Sequence, residues 1–189
     1  MNRILCFAAS TRTASLNKKL ARAAAVAAEM QGAHARVLDL RDHPMPIYDG
    51  DLEQVEGVPA AAAELATEIA AHDALIIASP EYNGGPPALL KNTFDWITRL
   101  READGVIDGR ATLAMKPTLL ISASPGALGG MRGSVLTRAM LTHLGLWLLP
   151  QTVAVGNAGE AFSADGALPA DKEKQLNLAL RALLRASRA

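Results

Sequence analysis

The chain has 189 residues, half of them apolar and a fifth charged, with a formal net charge of zero. That length suffices for a single α/β domain over 1–189 with a buried core, and the balanced charge argues against a nucleic-acid or membrane-surface partner. A single cysteine, Cys6, excludes an internal disulfide; no apolar run approaches the ~20 residues that span a bilayer and no signal pattern opens the chain, so a soluble cytoplasmic protein is expected.

Taken in order, Arg3 to Ala8 reads as a first buried strand and Ala9 to Ala14 as a polar loop. Ser15 is a helix N-cap, and Leu16, Leu20, Ala24 and Ala27 make one face of a helix that stops near Gly32. Arg36 to Leu40 is a second strand, His43 to Gly57 is irregular, and Pro59 opens a helix through His72 with Leu65 and Ile69 inward. Ala74 to Ala78 is an unbroken apolar run, as in a strand buried on both faces of a parallel sheet.

The stretch Ser79 to Pro86 is loop chemistry, and Pro87 starts a helix through Leu100 with Leu90, Phe94 and Ile97 toward the sheet. Leu89 and Trp96 then fall on another face. Glu102 to Met115 reads as a loop in which Gly105, Asp108 and Gly109 break any helix. Pro117 to Ser122 is a fourth strand, Ala123 to Gly130 a glycine-rich loop, and the next helix turns Val135, Leu136, Met140 and Leu144 inward. A fifth strand lies between Leu146 and Val155, beginning after Pro150, and a last helix runs from Pro169 to Ser187.

Five strands alternating with helices predict a doubly wound parallel sheet, a three-layer α/β/α domain, most simply in the order 2-1-3-4-5. The loops after strands one, three and four then meet at the switch point. The first loop, Ala9 to Asn17, offers hydroxyls, Arg12 and the N–H groups of a helix N-terminus, a cradle for a phosphate. Taken alone it fits equally well an ordinary N-cap serine and a solvated arginine.

The loop has no glycine, which excludes a G-x-G-x-x-G dinucleotide site and a Walker phosphate loop; a mononucleotide's monophosphate suits it better. Asp39 is then a strand-end polar residue. Ser122-Ala123-Ser124-Pro125-Gly126 approaches the G-x-S-x-G elbow, but Pro125 has no N–H to serve an oxyanion. The four histidines have no metal-ligand spacing. Glu81, Tyr82 and Asn83 suit a planar heterocycle, against the plainer alternatives of a packed aromatic and turn residues. The absence of an acid, base and nucleophile constellation favours chemistry carried by a cofactor.

Three blocks in order, S-x-R-x-x-S-x-N from Ser10 to Asn17, P-E-Y-N-G-G-x-P-x-x-L-K-N-x-x-D-W from Pro80 to Trp96, and S-x-G-x-x-G-G-x-R from Ser124 to Arg132, resemble the NADPH-dependent FMN reductase family of flavodoxin-like proteins. The resemblance implies that Ser10, Arg12, Ser15, Leu16 and Asn17 hold the FMN phosphate. It implies that Pro80, Glu81, Tyr82 and Asn83 wrap the isoalloxazine edge, and that Ser124, Gly126 and Gly129 lie beside the ring and ribityl chain. Ala9 and Pro125 depart from the family pattern.

The implied activity passes hydride from NADPH or NADH to FMN and then to a small acceptor: a quinone, free flavin, azo compound or metal oxyanion. A flavodoxin-type electron carrier and a non-catalytic flavin-binding protein are the alternatives. A homodimer or homotetramer is expected, with Trp96 as its anchor, against the plainer alternative that Trp96 packs under the loop at 102–115.

Overall fold

The computed structural model describes residues 1–102, 107–163 and 166–187. Its elements are β1 (Arg3–Ala8), α1 (Leu16–Met30), β2 (His34–Asp39), α2 (Gly50–Glu56), α3 (Ala60–Ala71), β3 (Ala74–Ala78), α4 (Ala88–Ile97), α5 (Gly109–Leu113), β4 (Pro117–Ala123), α6 (Met131–His143), β5 (Trp147–Leu148), β6 (Val153–Val155), α7 (Ala158–Ala161) and α8 (Ala170–Ala186). The strands form one parallel sheet in the order β2-β1-β3-β4-β5, with β6 also on β4. This is the doubly wound architecture expected from the alternation of elements.

Strand side chains divide strictly by parity, because successive Cβ atoms point to opposite faces. Ile4, Cys6, Ala8, Ile76 and Ile121 join α1 and α8 in one core, built with Leu20, Ala24, Ala28, Leu180 and Leu183. Leu5, Phe7, Leu75, Ile77 and Leu120 join α3, α4, α5 and α6 in the other, built with Leu65, Ile69, Leu90, Phe94 and Ile97. Each fully buried Leu, Ile or Phe contributes about 1.5–3 kcal/mol. The four buried alanines of α1 let that helix lie close to the sheet.

Several elements differ from expectation. The irregular stretch after β2 contains α2, capped by the Asp49 carboxylate on the Asp51 N–H and stopped by Gly57 at φ +78°. None of its residues is buried, so it has no apolar periodicity to read. Asp108 and Gly109 begin α5 rather than break it: the Asp108 carboxylate caps the Ala111 N–H at 2.8 Å. A Cβ on Gly109 would fall 1.8 Å from the Ile97 carbonyl oxygen. Gly105, the other expected helix breaker, lies outside the described residues. The fifth strand is split by Pro150 into β5, paired with Pro117 and Thr118, and β6, paired with Ile121 to Ala123.

Helix α6 meets the expectation in its second half, where Met140 and Leu144 pack half-buried against the core, and departs from it in its first half. Val135 and Leu136 are exposed, and Gly133, Ser134, Thr137 and Leu141 face the interior. The two hydroxyls fit there because each donates one turn back, Ser134 to Gly130 O at 3.0 Å and Thr137 to Gly133 O at 2.8 Å.

Trp96 also departs from expectation: it is fully buried within the chain and cannot be an exposed interface anchor. Its Nε1 donates to the Pro46 carbonyl at 2.8 Å, and its ring meets Tyr48 edge to face at 5.0 Å between centroids. Asn92 completes the strap, accepting from the Tyr48 N–H and donating to Pro46 O. The segment after β2 therefore covers the α4 face that was expected to be free.

Candidate functional site

The chain leaves β1 toward α1 on one face of the sheet and leaves β3 toward α4 on the other. Between two adjacent parallel strands, that divergence opens a crevice at their carboxyl ends. The loops after β1, β3 and β4 border it, and together they enclose a cleft of about 110 Å³.

The first loop is held by bonds among its own residues. Ser15 caps α1 by accepting from the Lys18 N–H at 3.3 Å, and its own N–H donates to Arg12 O at 3.2 Å. Ser10 accepts from the Arg12 N–H at 3.3 Å. The N–H groups of Leu16 and Asn17 lie in the first turn of α1, where no intrahelical acceptor exists. Arg41, just after β2, clamps the loop from behind through Thr11 O and the Thr13 hydroxyl, the latter at 3.0 Å.

Lys18 is buried and pairs with Asp39 at 2.6 Å. Burial pushes the Asp39 carboxyl upward, but the Lys18 hydrogen bond, the Arg41 N–H and both positive charges outweigh it and hold its pKa below the usual value. Arg12 differs from these neighbours. Its guanidinium is exposed and has no hydrogen bond or ion pair among the described residues.

The second loop is a tight hairpin turn. Tyr82 and Gly85 exchange backbone hydrogen bonds of 3.1 and 3.0 Å, with Asn83 at φ +53° and Gly84 at φ +79° between them. Two consecutive positive φ values select asparagine and glycine, as a two-residue hairpin loop requires. Tyr82 is thereby left 54% exposed at the cleft mouth. Glu81 turns the other way: its carboxylate accepts from the Gly133 N–H at 3.0 Å and pairs with Arg132 at 3.4 Å.

The third loop is pinned by backbone contacts. Ser122 donates to Gly129 O at 2.7 Å, and Ser124 accepts from the Gly126 N–H at 3.2 Å. Gly129 is at φ +62°, and a Cβ there would lie 2.7 Å from the Val155 carbonyl carbon. Only glycine satisfies both the backbone angle and the approach. Asn17 reaches across to this loop and bonds both the carbonyl and the N–H of Ala123.

Of the residues singled out from the sequence, Ser10, Arg12, Ser15, Leu16, Asn17, Pro80, Glu81, Tyr82 and Ser124 line the cleft together. Asn83, Gly126 and Gly129 do not line it; they shape its turns. Ala123 and Pro125 also line it, and Arg41 and Lys18 support it from behind; their partners are distant in the sequence and give no local signal. A larger hollow of about 470 Å³ lies between α1 and α8, remote from these loops. It is the roomier of the two, but the convergence of polar groups and helix N–H donors favours the smaller cleft.

The lining contains no histidine or cysteine, and its one carboxylate, Glu81, is committed internally. Cys6 lies in the core, where burial, with a smaller contribution from Glu29, pushes its thiol up to about 12. The groups of this lining are thus suited to binding and orienting.

A doubly wound sheet in this order, with a glycine-free anion cradle at its switch point, defines a flavodoxin-like protein. The sequence profile of the NADPH-dependent FMN reductases matches residues 2–160, and the chain belongs to that family. It is 32% identical over 160 residues to a quinone reductase of Pseudomonas putida, covering 84% of this chain and 80% of the relative. It is 39% identical over 100 residues to the quinone reductase of Escherichia coli; that match covers 53% of this chain and about half, 49%, of the relative's length. Among solved structures it is similar to FerB of Paracoccus denitrificans, a flavoenzyme NAD(P)H:(acceptor) oxidoreductase. That likeness has a TM-score of 0.80 and 26% identity, covering 100% of this chain and 98% of the other.

Proposed function

We propose that the chain is an FMN-dependent NAD(P)H oxidoreductase of quinone-reductase type. The observation that carries this reading is Arg12. A guanidinium without a partner among the described residues stands beside the first-turn N–H groups of α1, on a glycine-free loop at the switch point. Such a site matches a terminal phosphate monoester.

The residues fit FMN. Ser10, Arg12, Ser15 and the N–H groups of Leu16 and Asn17 would hold the phosphate. The Pro80–Asn83 backbone would border the ring edge, and Ser124, Pro125 and Gly126 would run along its other side. Bound FMN supplies the electron transfer between a nicotinamide and an acceptor. The chain's part is to seat the phosphate, keep the ring at an open rim and leave one face accessible, with Tyr82 at the mouth. Quinones are the favoured acceptors, because relatives are named for them; free flavins, azo compounds and metal oxyanions are the further classes. Assembly as a homodimer or homotetramer in the cytoplasm belongs to the same proposal, with a contact other than Trp96.

The test is anaerobic. NADPH or NADH should bleach the visible absorption of the FMN-loaded protein, and a quinone should restore it. Initial rates over a grid of both substrates should give parallel lines, since one crevice serves donor and acceptor in turn. A flavin that stays oxidised under excess nicotinamide would favour an electron carrier instead.

A further inference from the structure

We propose that Glu81 is a positioning residue for the flavin: it tethers the ring-edge loop to the first turn of α6, and its carboxylate does not itself contact the cofactor. This inference rests on the FMN reading above and goes beyond it by giving Glu81 a different task from its neighbours Tyr82 and Asn83.

The 80–85 segment makes few hydrogen bonds to the rest of the described fold. Its Tyr82–Gly85 bonds are internal, and the Ser79 hydroxyl bond to Pro80 O is local. Among the described residues, the polar contacts that leave this segment are made by the Glu81 carboxylate alone, which accepts from the Gly133 N–H at 3.0 Å and pairs with the Arg132 guanidinium at 3.4 Å. The side chain is 12% exposed, against 54% for Tyr82 next to it. One residue of the loop is therefore built into the protein, and the next is presented to the cleft.

The receiving surface is shaped for this contact. A Cβ on Gly133 would lie 2.7 Å from Glu81 Cγ, 2.8 Å from its Cβ and 3.1 Å from its Cα. The bare backbone of α6 thus receives the whole stem of Glu81. The bonded N–H belongs to the first helical turn, which lacks an intrahelical acceptor and favours a carboxylate. Ser122 and Ser134 hold the same turn to β4: Ser122 donates to Gly129 O, and Ser134 donates to Gly130 O and lies 3.4 Å from the Ser122 hydroxyl. Glu81 therefore ties the second loop to the third. A ring lying between the two loops has its seat set by this tether.

Reach and charge can be separated by substitution. Glu81→Gln keeps the length and an acceptor oxygen. Glu81→Asp keeps the charge but shortens the stem by a methylene. Glu81→Ala removes both.

The experiment measures FMN affinity, visible circular dichroism of the bound flavin, and steady-state kinetics at saturating FMN, with thermal melts as a control. Glu81→Ala and Glu81→Asp should weaken FMN roughly tenfold, the effect of losing one hydrogen bond to a charged group, and Glu81→Gln should stay within about threefold. The first two should also alter the dichroism and lower kcat, and Glu81→Gln should restore both. Equal losses in Asp and Gln, or FMN affinity and dichroism that match wild type in Ala despite a lower melting temperature, would overturn the tether as a determinant of the ring's seat. A wild-type chain that takes up no FMN would overturn the functional reading and this inference with it. Wild-type binding with an indifferent Glu81→Ala would overturn this inference alone.

Discussion

Asn17 and Ala123 share a pair of hydrogen bonds, both 2.9 Å: the Asn17 amide donates to the Ala123 carbonyl, and its oxygen accepts from the Ala123 N–H. Both residues are buried and 106 positions apart. The start of α1 is thereby tied to the end of β4, and two walls of the cleft are fixed to each other. One N–H and the oxygen of the Asn17 amide are thereby spent on the fold, so the phosphate contact proposed for this residue falls chiefly to its backbone N–H. Asn17→Leu would leave two buried backbone groups unpaired, at about 1–3 kcal/mol each. Urea unfolding should show that loss, and FMN affinity should fall with it; an unchanged midpoint would remove the tie.

Arg12 should behave in the opposite way. Its guanidinium has no partner among the described residues, so Arg12→Ala should leave stability unchanged. FMN should bind more weakly by about 1.5–3 kcal/mol, the range for hydrogen bonds to a charged group. FAD should bind wild type less tightly than FMN, because the loop receives a terminal monophosphate. Calorimetric titration distinguishes these outcomes, and an Arg12→Ala protein with the wild-type dissociation constant would make Arg12 a solvated side chain.

The Lys18–Asp39 pair makes the cleft's foundation sensitive to acid. The folded pKa of Asp39 lies below its usual value near 3.8, so the folded state favours the charged form. Its contribution to stability is complete above that usual value and is lost as pH falls through the lower folded one. The stability gap between wild type and Asp39→Asn should therefore be constant near neutral pH and shrink below about pH 4. Denaturant melts across that range measure it directly. A gap that widens on acidification would contradict the assignment.

Trp96 should prove a core residue. Trp96→Ala should cost about 3–5 kcal/mol, as for large aromatic truncations. Trp96→Phe should cost less, because the Pro46 carbonyl keeps its bond from Asn92 at 2.8 Å. Sedimentation of Trp96→Phe should match wild type at equal concentration, whatever that state is. A selective shift toward monomer in this folded variant would restore Trp96 to an interface.

Much of this protein follows from short stretches of its sequence. Buried parallel strands need both faces apolar, so Ala74–Ala78 and its counterparts announce themselves, and their alternation with helices leaves few topologies. The three loops that border the cleft are legible for the same reason: each is a polar or glycine-rich interruption directly after such a strand. Asn83 and Gly84 declare their turn because positive φ is a local steric matter.

What the tertiary structure decided are the pairings between distant residues. Helix α6 presents Gly133 and Ser134 inward because Glu81 and Ser122 come to meet them, which no periodicity within α6 reveals. Trp96 is buried because a strap some fifty positions earlier folds over it. Asn17 and Glu81 carry the residue types of ligand contacts yet spend their polar atoms on other loops. A hydrogen-bonding side chain looks the same in sequence whether its partner is a ligand or a backbone group folded in from elsewhere. Only the packed structure shows which atoms are already satisfied and which, as at Arg12, are not.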